Sequence, residues 1–175
     1  MCGIVGYVGK KDCTKVLLDS LKKLEYRGYD SAGVAVFENG EIKISKSKGR
    51  LAVLEQKLQK EGWINGTCGI GHTRWATHGE PSDINSHPHG SARVTIVHNG
   101  IIENYQKIKA FLIKKGYTFE SETDTETVAK LLDYYYEGDP MAAIQKVLGE
   151  IEGSYALGMI CLLYTSPSPR DKRQS

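Results

Sequence analysis

The alternation of apolar and polar residues along the chain predicts both strands and helices. Short apolar runs bounded by turn residues predict strands over residues 3–8, 32–37, 41–46, 67–73, 93–98 and 154–163. Asn39 and Gly40, a dipeptide typical of tight hairpins, separate the second run from the third. Because tight hairpins join antiparallel strands, we expect largely antiparallel sheets.

Apolar residues at helical spacing lie between these strands. Asp12 can cap a helix that places Leu17, Leu21 and Leu24 on one face, and Gly28 is expected to end it. Further helices are predicted over residues 51–60, from Ile101 to Leu112, after a capping box at Thr123 and Glu126, and from Asp139-Pro140 to Ile151. Since strands cluster early and helices late, the predicted fold class is α+β.

Two segments show neither the pattern of a strand nor the helical spacing of apolar residues. Residues 74–92 crowd arginine, tryptophan, threonine, histidine, proline and asparagine into a long polar loop, and loops of that size in compact domains are usually functional. Residues 165–175 are polar and rich in proline and serine, so we expect them to be disordered.

Composition and charge narrow the class of protein. A chain of 175 residues with 40% hydrophobic and 25% charged residues fits one soluble globular domain. The net charge is +2 and no basic run precedes the final segment, which argues against binding to nucleic acid or a membrane surface. No apolar run approaches the ~18 residues of a membrane-spanning helix. Four widely spaced cysteines predict reduced thiols in a cytoplasmic protein.

Cys2 is the first candidate for chemistry. If Met1 is removed, one residue carries both a thiol and a free α-amine, and the amine can act as general base for its own thiol near neutral pH. An apolar strand begins at the next residue, so the terminus is expected to be held at the end of a sheet. The alternative is that Cys2 is an incidental start residue.

Asn99, Gly100, Arg74 and Asp124 offer complementary polar groups. The Asn99 amide and the Gly100 backbone N–H can form an oxyanion hole, although Asn-Gly at a strand end is most often a turn. Arg74 suits a carboxylate and Asp124 an ammonium, so together they could hold a free amino acid. Asp124 could instead simply complement a helix dipole.

Metal and cofactor binding are not predicted. Cys68 and His72, and His87 and His89, lack the spacing of known metal motifs, and the glycines near the N-terminus do not form a phosphate loop. We therefore expect a chain without a metal or a cofactor.

Motifs in a consistent order resemble one family. They occupy residues 2–6, 26–33, 72–79, 85–89, 97–104 and 121–126. Across residues 2–160 the chain resembles the glutaminase domain of the glutamine–fructose-6-phosphate aminotransferases, whose fold is the four-layer αββα sandwich of N-terminal-nucleophile hydrolases. Related amidotransferases share the cysteine start and the Asn-Gly pair, but their loop sequences differ from those found here.

The resemblance implies a role for each central candidate. Cys2 would be the nucleophile, with its own amine as base, and Asn99 and Gly100 would form the oxyanion hole. Arg74 would hold the α-carboxylate of L-glutamine and Asp124 its α-ammonium. These roles agree with the interpretation drawn from the residues themselves.

The resemblance also implies roles for residues around the site. Thr77 and His78 would lie in a loop that closes over glutamine. Trp75 would lie at the passage by which ammonia leaves, Tyr29 would help to close that passage, and Arg27 would order the surroundings of the nucleophile.

In the family, the ammonia passes to a sugar-phosphate isomerase domain that converts fructose 6-phosphate to glucosamine 6-phosphate, and the full-length enzyme is a homodimer. The match ends near residue 161. We therefore expect a truncated glutaminase domain over 2–161 with an incomplete sheet and low stability, followed by an unrelated tail, disordered or artefactual, over 162–175.

Two alternatives stay open at this point. The chain could be a module that binds glutamine without turning it over, in which case Cys2 would have no chemical task. It could also belong to a different amidotransferase with the same glutaminase half.

Overall fold

The computed structural model describes residues 2–76 and 79–163. The elements in chain order are β1 (Gly3–Val8), α1 (Cys13–Lys22), β2 (Ser31–Glu38), β3 (Glu41–Lys48), α2 (Leu51–Glu61), β4 (Cys68–Arg74), β5 (His89–Gly90), β6 (Val94–Ile102), α3 (Tyr105–Lys114), α4 (Asp124–Tyr135), α5 (Pro140–Leu148) and β7 (Gly153–Cys161). A short 3-10 turn, Glu25–Arg27, follows α1.

The strands form two antiparallel sheets that pack face to face. The first has the order β1-β4-β2-β3 and the second the order β5-β6-β7. Helices α1 and α2 lie on the first sheet, whereas α4 lies on the second with α3 and α5 packed against it. The molecule is therefore the predicted four-layer αββα sandwich.

Each layer boundary has its own apolar core. Leu17, Leu21, Leu54 and Leu58 are buried between the first sheet and its helices. A second cluster joins the other sheet to α3, α4 and α5. Between the sheets lie Ala35, Ile70, Val97 and Ile160, with Ile4, Ile42 and Cys68 packed against them. This central layer fixes β1 and β6 relative to each other.

Local sequence signals start and end several elements as predicted. The Asp12 carboxylate accepts a hydrogen bond from the Lys15 N–H at 3.2 Å and caps α1. Asn39 and Gly40 have φ values of 51° and 86°, which matches the tight hairpin between β2 and β3. Thr123 caps α4 by accepting from the Glu126 N–H at 3.2 Å. The Glu126 carboxylate bonds to the N–H groups of residues 120 and 121, so only half of the expected capping box forms.

Two element boundaries were predicted wrongly. Helix α1 ends at Lys22, because the chain tightens into the 3-10 turn before it reaches Gly28. Ile101 does not share the buried face of α3; it belongs to β6 and is 44% exposed. In both cases apolar residues at helical spacing extend beyond the point where the backbone is helical, so the spacing alone overestimates the length of the helix.

The prediction that the strand over 93–98 ends at Asn99-Gly100 is also wrong, and the alternative that these two residues form a turn is excluded. Strand β6 continues to Ile102, with Asn99 opposite Ala156 and Gly100 opposite Tyr155. The long partner β7 supplies hydrogen bonds that a turn would forgo. Gly100 is still required, because it has a φ of +113° inside the strand.

The end of the described chain packs against β6 and α4. The Leu162 N–H donates to the Arg93 carbonyl at 2.9 Å, and the Tyr136 hydroxyl donates to the Leu162 carbonyl. Apart from Leu162 and Leu163, the predicted tail lies outside the described residues. All four cysteines are free thiols. None of the helices in 2–76 and 79–163 has the length and hydropathy needed to cross a membrane.

Gly100→Ala should destabilise the protein by about 2–5 kcal/mol. The methyl group would adopt a left-handed backbone conformation and collide with the Ser154 carbonyl oxygen. Gly116→Ala is the matched control: Gly116 has a φ of +92°, and no described atom lies within 4 Å of the new methyl group. It should cost only about 1–2 kcal/mol. Equal losses in the urea-derived free energy of unfolding would contradict the proposed collision.

Candidate active site

A cavity of about 590 Å³ opens where the start of β1 meets β6 and the first turn of α4. The predicted residues Cys2, Arg74, Asn99, Gly100 and Asp124 all line it. Arg27 and Trp75 line it as well. Thr77 and His78 lie outside the described residues. Residues distant in sequence thus share one cavity because the two sheets pack together.

Cys2 is held at the mouth of this cavity by both sheets. The Trp75 N–H donates to Cys2 Sγ at 3.2 Å, and Asn99 Nδ2 donates to the Cys2 carbonyl at 3.1 Å. Burial raises the pKa of the Cys2 thiol, and the Trp75 N–H opposes this rise by stabilising the thiolate. The thiol is therefore largely protonated at neutral pH and needs a base before it can attack.

Arg74 and Asp124 present opposite charges to the same cavity. Arg74 is 3% exposed, and its Nη2 donates to the Gly79 carbonyl at 3.1 Å. Burial lowers the pKa of Arg74, while nearby acidic groups, Asp124 among them, raise it. The Asp124 carboxylate accepts from the N–H groups of Ile102 at 2.9 Å and Thr125 at 3.0 Å. Backbone donors and the helix N-terminus thus hold the carboxylate in place.

Aromatic and basic residues surround the mouth of the cavity. Trp75 is 48% exposed and meets the Tyr29 ring edge-on, with the ring centroids 5.4 Å apart. Tyr29 therefore contacts the site through Trp75. The guanidinium of Arg50 lies 5.4 Å from the centroid of the Tyr29 ring. Arg27 Nε donates to the Tyr26 hydroxyl at 2.9 Å.

Four buried histidines that the sequence did not predict to act together lie at the cavity. His87 and His98 line it, and His72 and His89 are buried beside them. His72 Nε2 lies 2.9 Å from Asn99 Oδ1 and 3.0 Å from the His98 carbonyl oxygen. His87 lies against His72, with ring centroids 4.1 Å apart. The sequence suggests a role for His72, His87 and His89 only as metal ligands and none for His98; no group able to hold a metal occurs among the described residues.

His72, His87 and His89 are uncharged at neutral pH, because the pKa of each is lowered. Burial lowers the pKa of His72 to about 3 and holds the pKa values of His87 and His89 well below the ordinary value of 6.5. The pKa values of His87 and His89 are lowered further by their positive neighbours, among them Arg74. These three residues therefore act through neutral ring nitrogens, each of which donates or accepts according to its tautomer.

Comparisons with known proteins agree with this fold and site. Residues 72–161 match the model of the glutamine amidotransferase domain. The glutamine–fructose-6-phosphate aminotransferase (isomerizing) of Caldanaerobacter subterraneus is 63% identical over 163 residues, which cover 92% of this chain and 27% of that protein. The enzyme of the same name from Methanosarcina mazei is 50% identical over 173 residues. The chain thus spans about a quarter of the length of these relatives.

A solved structure supports the same fold. A glutamine phosphoribosylpyrophosphate amidotransferase from B. subtilis superposes with a TM-score of 0.78 at 24% identity, covering 92% of this chain and 35% of that one. In the present chain, the four layers and the cysteine that directly precedes β1 are the features of an N-terminal-nucleophile fold. The chain belongs to the glutamine amidotransferase family.

The histidine cluster should make the protein sensitive to mild acid. The unfolded chain takes up protons at His72, His87 and His89 below pH ~6.5, whereas the folded chain excludes them until the pH is much lower. Because the folded-state pKa values are depressed, this stability is full above pH ~6.5. It is lost as the pH falls, by about 1 kcal/mol per pH unit for each histidine.

Urea unfolding between pH 7.5 and 5.5 measures this loss. His87→Gln removes one of the three groups and should make the free energy of unfolding depend less steeply on pH than in the wild type. A free energy of unfolding that stays constant over this range in the wild type would contradict the prediction.

Proposed function

We propose that this chain hydrolyses L-glutamine to glutamate and ammonia with Cys2 as nucleophile. The observation that carries the proposal is the shared cavity. Cys2, Asn99, Arg74 and Asp124 all line it. A thiol, an amide and two opposite charges in one cavity support a small zwitterion as the ligand. Membership of the glutamine amidotransferase family supports the choice of glutamine.

The reaction begins once Met1, which lies outside the described residues, has been removed. The Cys2 α-amine then takes the thiol proton, directly or through a water, and Sγ attacks the side-chain amide carbon of glutamine. The Asn99 amide and the Gly100 N–H stabilise the oxyanion of the tetrahedral intermediate. The protonated amine returns its proton to the leaving nitrogen, ammonia departs, and water hydrolyses the thioester to glutamate and free thiol.

The charged ends of the cavity select a free amino acid. The planar guanidinium of Arg74 binds the α-carboxylate with two parallel hydrogen bonds. Asp124, whose carboxylate is fixed by backbone N–H groups, binds the α-ammonium. A substrate that lacks either charged group would forgo a charge-assisted hydrogen bond at that end of the cavity.

The surrounding residues would control access to the site. We propose that Thr77 and His78 belong to a loop that closes over glutamine and keeps bulk water from the thioester. Trp75 and its partner Tyr29 would line the path by which ammonia leaves. Arg27, which lines the cavity, would order the surroundings of Cys2.

In a longer protein the ammonia would have a defined destination. The names of the curated relatives support transfer to fructose 6-phosphate in an isomerase domain, which yields glucosamine 6-phosphate. We propose that residues 2–161 form the glutaminase domain, that 162–175 are unrelated to it, and that the whole enzyme is a cytoplasmic homodimer. The chain itself requires no metal or organic cofactor for the hydrolysis proposed.

Two other functions are weaker candidates. A different amidotransferase is disfavoured because identity falls to 24% with the phosphoribosylpyrophosphate enzyme. A module that only binds glutamine would not need a thiol beside the Asn99 amide. That module would bind glutamine but release no glutamate, and Cys2→Ser would not change its affinity.

Exposure to a diazo-ketone analogue of glutamine should add one adduct per chain, detected by intact-protein mass and mapped to Cys2. The mass should also show the loss of Met1, and excess glutamine should block the adduct. Cys2→Ser should form none, whereas Cys68→Ser should react like the wild type because Cys68 lies outside the cavity. Retention of Met1, or an adduct on another cysteine, would contradict the assignment of the nucleophile.

Arg74→Lys and Asp124→Asn should each raise the KM for glutamine about 10- to 100-fold, because a charge-assisted hydrogen bond is worth roughly 1.5–3 kcal/mol. Asp124→Asn should also lose the discrimination against glutaramate, which lacks the α-amine. Asp139→Asn, at the start of α5, is the control and should leave KM unchanged. Steady-state glutamate release measures all of these values. An unchanged KM in both site variants would contradict the assigned binding mode.

A further inference from the structure

We infer that His72 is a positioning residue that fixes the orientation of the Asn99 side-chain amide, so that the Nδ2 group faces the nucleophile. This inference rests on the proposed function only for its consequence in catalysis. The orientation itself follows from hydrogen-bond donors and acceptors in the described residues.

Two backbone carbonyls determine which atoms carry hydrogen. His72 Nε2 lies 3.0 Å from the His98 carbonyl oxygen, which can only accept. Nε2 must therefore carry the proton of the neutral ring. The same Nε2 lies 2.9 Å from the Asn99 side chain, so the amide atom facing it is the oxygen. On the other side, Asn99 Nδ2 donates to the Cys2 carbonyl, also an acceptor only.

His87 supports the same tautomer of His72. With the proton on Nε2, Nδ1 of His72 has a lone pair that needs a donor. His87 Nδ1 lies 3.1 Å from both ring nitrogens of His72, and of these two only Nδ1 has a lone pair that can accept its proton. Both rings are at most 5% exposed, so water does not compete for these positions. His87 thus acts on Asn99 through His72.

The position of His72 in its strand explains why a histidine can reach Asn99. Ile70 and Val97 meet in the layer between the sheets. His72 follows Ile70 by two residues and Asn99 follows Val97 by two, so both side chains project into that layer. The layer changes from apolar to polar at the cavity, where an amide must be held by hydrogen bonds.

Without His72 the amide loses one of the two contacts that distinguish its ends, and the Cys2 carbonyl alone opposes a flip. A flipped amide would place its oxygen toward the developing oxyanion, and two negative atoms would repel. The consequence is specific to the step that forms an oxyanion. Substrate binding through Arg74 and Asp124 would be retained.

The first measurement is ¹⁵N NMR of the histidine-labelled wild-type protein, with the His72 signals assigned by comparison with His72→Gln. His72 is expected to show a protonated Nε2 and an unprotonated Nδ1. A protonated Nδ1 with an unprotonated Nε2 would overturn the inference. This readout does not depend on activity, so it separates the inference from the proposed function.

The second measurement compares glutamine hydrolysis in His72→Leu and His72→Gln. The leucine variant should lose kcat about 10- to 100-fold with KM within about threefold of the wild type, since one oxyanion donor is commonly worth 10²–10³ in rate. His72→Gln keeps an N–H donor at this position and should therefore restore most of kcat. Alkylation of Cys2 by iodoacetamide, which forms no oxyanion, should proceed at the wild-type rate in both.

The double variant His72→Leu/Asn99→Ala tests the coupling. Its kcat should equal that of Asn99→Ala, because His72 acts through the amide that is already absent. Equal kcat in the wild type and His72→Leu, a parallel fall in the alkylation rate, or a full additional loss in the double variant would each overturn the inference. An inactive wild type would refute the proposed function, and the NMR result would still decide the orientation of Asn99.

Discussion

The contact between the two sheets beside Cys2 is the constraint on which the site depends. Strand β1 is held in its own sheet by β4, and the Asn99 amide of the other sheet donates to the Cys2 carbonyl at 3.1 Å. Ile4, Ile70 and Val97 fill the layer next to this bond. Because residues at the end of a chain otherwise fray, this packing between the sheets holds Cys2 in place.

Local signals predicted most elements because their causes are local. The Asp12 cap and the Asn39-Gly40 hairpin depend on neighbouring residues, and the structure shows both. Asn99-Gly100 carries the same hairpin signal but lies inside β6, where pairing with distant β7 overrides it. Nothing close in sequence marks the difference between these two Asn-Gly pairs, so propensity alone could not separate them.

The sequence predicted which chemical groups belong to the candidate site, but it did not predict how those groups are arranged in space. Cys2 and Asp124 have chemical properties that the sequence shows, and the family resemblance grouped them with Asn99. The sequence did not predict the histidine cluster, because metal binding was the one role that it suggested for His72, His87 and His89. A usable signal existed: His72 stands two residues after Ile70 in an alternating strand, which predicts an inward-facing polar residue. Its partner, Asn99, could only be found from the packing of the sheets.

Burying neutral histidines between two sheets costs desolvation free energy. This cost indicates that the histidines orient hydrogen bonds and do not only fill space. An apolar side chain at the position of His72 would avoid the desolvation penalty. It would offer no donor to Asn99 Oδ1, however, and the amide would lose one of the two contacts that distinguish its ends. The same low-polarity surroundings that make a bare polar group expensive also strengthen each satisfied hydrogen bond. The buried histidines thus lower the stability of the protein at low pH, and they fix the orientation of the Asn99 amide beside Cys2.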